Sequence, residues 1–400
     1  MTCRSFRAAE STAVVWHPDL LEYRHAPWHP MDPVRLELTV DLCREMGILD
    51  DPRISVLAPG VAADEDLLTV HSADYIEAVR AAGAQGTPSA AHGLGTEDNP
   101  VFDAIHTASA RIVQGSLDCA DAVLSGAVSR AVNVAGGMHH AARSRAAGFC
   151  VYNDAAAAVR RLLDRGVPRV LYLDLDAHHG DGTESIFVDE PRVMTISLHE
   201  SGLSLFPGTG FPQDSGTGDA AGTTVNVALP AGTGDAGWLR AFHGVVPQLV
   251  EAFEPTVIVS QHGCDSHAAD PLTDLRLSVD AQRQAAMDVA HLVEQHCGGR
   301  WIATGGGGYA VAAVVPRSWT QLTAVVAGCP IPLGAPTPDA WREQVRARCG
   351  AEAPERMDDG VHLGWRSWTH GHDPGDAVDR AVMLTRREIF PRHGLDPWFD

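Results

Sequence analysis

From Asp32-Pro33 to Met46-Gly47, Leu38, Leu42 and Met46 recur at helical spacing. An Asp at the N-cap, Pro in the first turn and Gly at the stop bound this stretch, which predicts a helix. A Gly-, Ser- and Pro-containing loop is expected over Ala82–Pro100, followed by a second helix over Phe102–Leu124. Beyond it, short apolar runs alternate with helical periodicity. Strands are expected at Ala131–Ala135, Arg169–Asp174, Val193–Leu198, Thr256–Gln261 and Trp301–Thr304. Between them lie an Ala-rich helix capped by Asn153-Asp154 and stopping at Gly166, a helix over Trp238–Phe253 and another over Val279–His296. This alternation predicts an α/β fold with a mainly parallel sheet covered on both faces. In such sheets, sites form in loops beyond the carboxyl ends of the strands.

Composition narrows the function classes. The 400 residues are 45% hydrophobic and 20% charged, enough to bury a core without disulfide or metal staples. The formal net charge is −21, which disfavours phosphate-backbone binding, so no nucleic-acid partner is expected. An acidic surface of this size either steers cationic substrates inward or only keeps the chain soluble; charge alone leaves both open. No stretch reaches the roughly 20 apolar residues of a membrane span, and Met1–Glu10 has no apolar signal region. Eight scattered cysteines without a C-x-x-C pair fit a reducing cytoplasm better than a disulfide framework.

Four polar clusters follow expected strands. The first is Gly136-Gly137-Met138-His139-His140, where glycines allow a ligand close to the backbone. The second, Asp174-Leu175-Asp176-Ala177-His178-His179-Gly180-Asp181-Gly182, packs three carboxylates and two imidazoles into a few residues. Such density is hard to bury without a cation. Alternation places Asp174, Asp176 and His178 on one side. Asp176 and His178 offer oxygen and nitrogen ligands that suit zinc or ferrous iron. The third, Gln261-His262-Gly263-Cys264-Asp265-Ser266-His267, offers Asp265 as a third ligand, with His262, His267 and Cys264 as rivals by residue type. The fourth is Gly305-Gly306-Gly307-Gly308-Tyr309. No Lys-Ser/Thr follows the glycines, so a P-loop is not indicated. Tyr309, read alone, is a packing aromatic.

As an ordered set, GGMHHA, GFCVYND, DLDAHHGDG, SLH, LFPGTG, HGCDSH and GGGGY resemble the histone deacetylase superfamily over about residues 15 to 330, joined by Asp98-Asn99-Pro100-Val101-Phe102 and His29-Pro30…Pro33…Arg35. Within it, HGCDSHAADPLTDLRLS and SLHESG look closest to bacterial acetoin-utilisation deacetylases. The resemblance implies an arginase-like, open α/β fold in a single domain. A catalytic domain over 1–330 is expected, with 331–400 an extension that packs on it or is partly irregular.

It also implies roles. Asp176, His178 and Asp265 would be zinc ligands, and His140 the general base and acid with His139 as its partner. Asp181 and Asp174 would orient His140 and His139. Tyr309 would polarise the scissile carbonyl. Phe149 and Phe206 would wall an acyl-lysine tunnel beside Gly148 and Gly307, with Asp98 gripping substrate at the rim. Asp174, with the backbone of Ser197 and Leu198, would hold potassium. Glu200 stands where many eukaryotic members carry a basic residue, so their inositol-phosphate regulation is not expected.

The implied activity is zinc-dependent hydrolysis of acetyl-lysine in proteins, the substrate being the partner. Alternatives are an acetylpolyamine or small acetylated amine deacetylase, a two-manganese ureohydrolase and a non-catalytic acyl-ligand binder. Oligomeric state is not legible.

Overall fold

The computed structural model describes residues 11–400, so the reading of Met1–Glu10 lies outside them. Strands β1 (Thr12–Val15), β2 (Ile54–Leu57), β3 (Arg130–Asn133), β4 (Val170–Asp174), β5 (Val193–Glu200), β6 (Thr224–Leu229), β7 (Val257–Gln261) and β8 (Trp301–Thr304) form a single sheet in the order β2-β1-β3-β8-β7-β4-β5-β6. Every pairing is parallel. The central strands are buried along their whole length, which suits the unbroken apolar runs in VLYLD and VIVSQ.

The helices are α1 (Val34–Glu45), α2 (Asp64–Leu67), α3 (Ala73–Gln85), α4 (Ile105–Leu124), α5 (Asp154–Asp164), α6 (Asp181–Phe187), α7 (Asp235–Phe253), α8 (Val279–His296), α9 (Val315–Val326), α10 (Asp339–Cys349) and α11 (Ala377–Ile389). They fall into two layers. Helices α3, α4, α5 and α6 form one neighbouring set, while α10, α1, α9, α8, α7 and α11 form the other. The expected sheet with helices on both faces is therefore observed.

Differences from the expected elements are local. The loop expected from Ala82 begins later, because Tyr75, Ile76, Val79 and Ala82 form a buried stripe that carries α3 on to Gln85. The strand expected to reach Ala135 stops pairing at Asn133, where a turn closed by the Gly136 amide takes over. Residues 331–400 add two helices. Helix α10 buries Trp341 against α1, its indole Nε1 donating to the Leu38 carbonyl at 2.9 Å. Helix α11 covers β6, and Thr385 donates to the Asn226 carbonyl at 2.6 Å.

Candidate metal centre and active site

Strands β3, β8, β7 and β4 lie side by side, so the four polar clusters leave the sheet at neighbouring points. Asp176, His178 and Asp265 converge there: all three are buried, and one potential ligand atom from each lies within 4.8 Å of the others. Among the described residues this is the group of His, Cys, Asp and Glu side chains that could hold a metal ion.

The donors fit a cation. Asp176 and Asp265 are fully buried carboxylates, and His178 Nδ1 faces both, at 3.2 Å and 2.8 Å. Burial, together with the charge of Asp176, raises the Asp265 pKa. Burial pulls His178 down, but the two carboxylates outweigh it and push its pKa to about 10. Positive charge is thus demanded at that point, as a proton or a metal ion. The backbone closes tightly around the pair. The Gly307 amide donates to Asp176 at 2.7 Å, and a Cβ on Gly307 would stand 2.0 Å from Asp265 Oδ2. The glycine run thus serves close approach to two carboxylates.

The rivals for the third ligand face elsewhere. His262 Nε2 pairs with the Ser260 hydroxyl at 2.8 Å, and His267 Nε2 with Asp359 at 2.9 Å. Cys264 is buried outside the triad, with its sulfur toward its own loop.

The histidine pair lies beside this group. His139 Nδ1–H donates to Asp174 at 2.8 Å, and His140 Nδ1–H donates to Asp181 at 2.7 Å. Their Nε2 atoms are 3.0 Å apart. Burial lowers both pKa values, but Asp174 and Asp176 lift His139 to about 9, whereas the positive His139 helps burial hold His140 at about 4. A charged His139 thus faces a neutral His140. Asp174 also accepts the Tyr172 hydroxyl at 2.8 Å, and its register partner across β4 and β5 is Ser197, adjacent to Leu198.

Tyr309 leaves the glycine run with its amide bonded to Asp270 at 2.8 Å and its ring 5.5 Å from that of Phe149, edge to face. Burial, with the charges of Asp265 and Asp176, pushes its phenol well above the ordinary value, so it stays a hydrogen-bond donor. Phe206 packs edge-on to His140 at 5.1 Å. Gly148, Phe149, Gly307 and Tyr309 line one narrow cavity with both histidines, Asp176 and His178. A Cβ on Gly148 would lie 2.3 Å from the His140 ring. Asp98 is less closely joined: it sits on an exposed loop, and its backbone carbonyl meets His29 Nε2 at 3.2 Å.

Several supporting residues were not singled out by the sequence. Asp154 reads as part of a helix cap, yet Asn153 does the capping, and Asp154 instead accepts the Gly137 and Met138 amides beneath the histidine pair. Buried Arg35 holds the Gly306 and Gly308 carbonyls at 3.0 Å each. Tyr23 and His25 both reach the Phe149 carbonyl, whose residue has a left-handed backbone with φ of 69°. Arg35 and Asp154 carried a signal, each through the motif it belongs to.

Comparison with known proteins identifies the family. Residues 29–326 match the family model described as the histone deacetylase domain. The acetoin utilization protein AcuC of Bacillus subtilis (strain 168) is 40% identical over 352 residues, covering 87% of this chain and 90% of that protein. AcuC of Staphylococcus xylosus is 37% identical over 335 residues, covering 83% and 86%. A crystal structure of an HDAC homolog complexed with SAHA is similar at 28% identity with a TM-score of 0.81, covering 93% of this chain and 100% of that one. With a family match spanning all four clusters and AcuC proteins alike over most of its length, this chain belongs to the histone deacetylase family of hydrolases, as an AcuC-like deacetylase.

Proposed function

We propose that this protein hydrolyses the acetyl amide of N-ε-acetyl-lysine in proteins and releases acetate, with one zinc ion, or ferrous iron, held by Asp176, His178 and Asp265. The observation that carries the reading is the doubly supported histidine pair beside a three-ligand group: a base poised next to a cation site. A bound cation would supply Lewis acidity and lower the pKa of water there.

The chain's own residues do the rest. His140 Nε2 is neutral and unshielded by its carboxylate, so it can take a proton and return one to the leaving amine, a role typically contributing about 10²–10⁴-fold. His139 stays charged against Asp174 and contributes positive potential where negative charge develops. Tyr309 donates its hydroxyl to the carbonyl oxygen as that oxygen gains charge. Phe149, Phe206 and Gly148 form an apolar slot that suits an uncharged amide on a methylene stem, and Gly307 forms part of its floor. Asp98 would hold the substrate backbone at the rim. Potassium beside Asp174, Ser197 and Leu198, and a cytoplasmic location, belong to the same reading. The HDAC homolog's complex with SAHA supports a slot of this kind.

The test is a deacetylation screen of acetyl-lysine peptides, acetylspermidine and small acetylated amines, with metal quantified. Turnover of peptides with one metal per chain is expected. Preference for acetylspermidine would replace the protein substrate with a polyamine, and two manganese ions per chain would favour a ureohydrolase. No turnover of any acetyl amide by metal-loaded protein would sink the reading.

A further inference from the structure

Asp265 sits in the irregular loop that follows β7, between two residues held by one side chain. Gln282, in the first turn of α8, donates from Nε2 to the Cys264 carbonyl at 3.1 Å and to the Ser266 hydroxyl at 3.0 Å. The Asp265 carbonyl itself accepts the Thr273 hydroxyl, and the His262 carbonyl accepts Trp319 Nε1–H at 2.9 Å. Backbone bonds also hold the loop, the Cys264 amide donating to the Gly307 carbonyl at 2.7 Å and the Leu277 amide to the Ser266 carbonyl at 3.0 Å, while the Ala177 amide donates to Asp265 Oδ1 at 2.9 Å. The amide of Gln282 pins the residues on both sides of Asp265 and so limits how its carboxylate can turn.

The other end of the amide is also placed. Gln282 Oε1 and Trp238 Nε1 are both buried without a protein partner, and both residues line an internal cavity of about 20 Å³ with Leu175, Gly263 and Ser318. That is room for one water. A donor on Trp238 and an acceptor on Gln282 are complementary to it, which turns the NH₂ end of the amide toward the loop. Gln282 touches neither substrate nor the three ligand atoms.

We propose that Gln282 is a positioning residue for Asp265, setting the affinity and geometry of the metal site through the backbone on either side of that ligand. The inference rests on reading Asp176, His178 and Asp265 as metal ligands. Two substitutions remove the donors: Gln282→Met at similar volume, and Gln282→Glu at nearly identical shape. Full-length protein stripped of metal is titrated with Zn²⁺ against a chromogenic chelator, and Co²⁺-loaded protein gives an absorption spectrum. Both variants should bind Zn²⁺ about 10–100-fold more weakly, the range found when ligand-orienting partners are lost, and shift the Co²⁺ bands. A folded variant with wild-type Kd and spectrum overturns the assignment, as does a lower melting temperature with unchanged Kd, which marks a merely structural role. Asp265→Ala separates the two layers. If it binds Zn²⁺ as tightly as wild type, the metal reading itself fails; if it abolishes binding while both Gln282 variants bind normally, only the Gln282 role fails.

Discussion

His139 Nε2 and His140 Nε2 lie 3.0 Å apart, yet each ring is tied at Nδ1 to a different carboxylate, Asp174 at the end of β4 and Asp181 at the start of α6. Two neighbouring imidazoles so close cannot both carry charge comfortably. Asp174 is fully buried and Asp176 is near, so His139 takes the proton and His140 stays neutral. Adjacent residues of one type acquire opposite states, one fixed positive charge and one neutral base.

The pH profile should report this division. Burial and the charge of His139 hold the His140 pKa at about 4, while Asp181 pulls it upward. The basic form is required, so activity is lost as pH falls through the pKa of His140. Asp181→Asn removes the upward pull, so the acid limb of kcat/KM should move to lower pH while the plateau falls about 10–100-fold. An acid limb displaced to higher pH in the Asn variant would contradict the assignment.

Tyr309→Phe deletes one hydroxyl from a ring whose position is set by its amide bond to Asp270 and by the Phe149 edge. The variant should keep wild-type metal content and lose roughly 10²–10³ in kcat, the usual effect of deleting one oxyanion donor. KM should change little, because the lost bond strengthens only as charge develops. Full activity in the Phe variant would discredit the role.

How much of this was legible can be argued from particular residues. The strand RVLYLD announced itself by its apolar run, and Asp176 and His178 by the density of ligands that follows it. Chemistry type alone could not choose among Asp265, His262, His267 and Cys264, because the choice depends on which way each side chain leaves the loop. Distant partners settle that: Ser260 for His262, and Asp359 for His267. Strands β1 and β2 were illegible for a simpler reason: neither runs into a glycine-led polar cluster, the signal that marked the equally short β3 and β8, and β2 is a half-exposed edge. The role of Asp154 was hidden by its neighbour, as a carboxylate beside an N-cap looks like part of the cap. Asp270 and Gln282 act through backbone groups, and no residue pattern marks a side chain that holds an amide or carbonyl far from it in sequence.

The stretch 331–400, which showed no motif, should matter for stability through one buried pair. Arg240 on α7 donates from Nε and Nη2 to Asp379 on α11, the latter bond at 2.7 Å, and stacks over Trp368 at 4.7 Å. Its remaining donors meet the carbonyls of Arg366, Ser367 and Gly371. Asp379→Ala would leave the guanidinium buried without an anion, a loss of about 3–5 kcal/mol, measurable by denaturant unfolding. Burial raises the Asp379 pKa, but Arg240 outweighs it and holds the carboxyl below its ordinary value. The contribution is therefore present above about pH 4 and fades as pH falls, so wild type and variant should converge in acid. Because α11 covers β6 at the sheet edge, away from the β3, β8, β7 and β4 ends that carry the histidines and the ligand triad, kcat per folded molecule should be unchanged. A loss of less than 1 kcal/mol at pH 7, or a lower kcat with normal stability, would contradict this account of the pair.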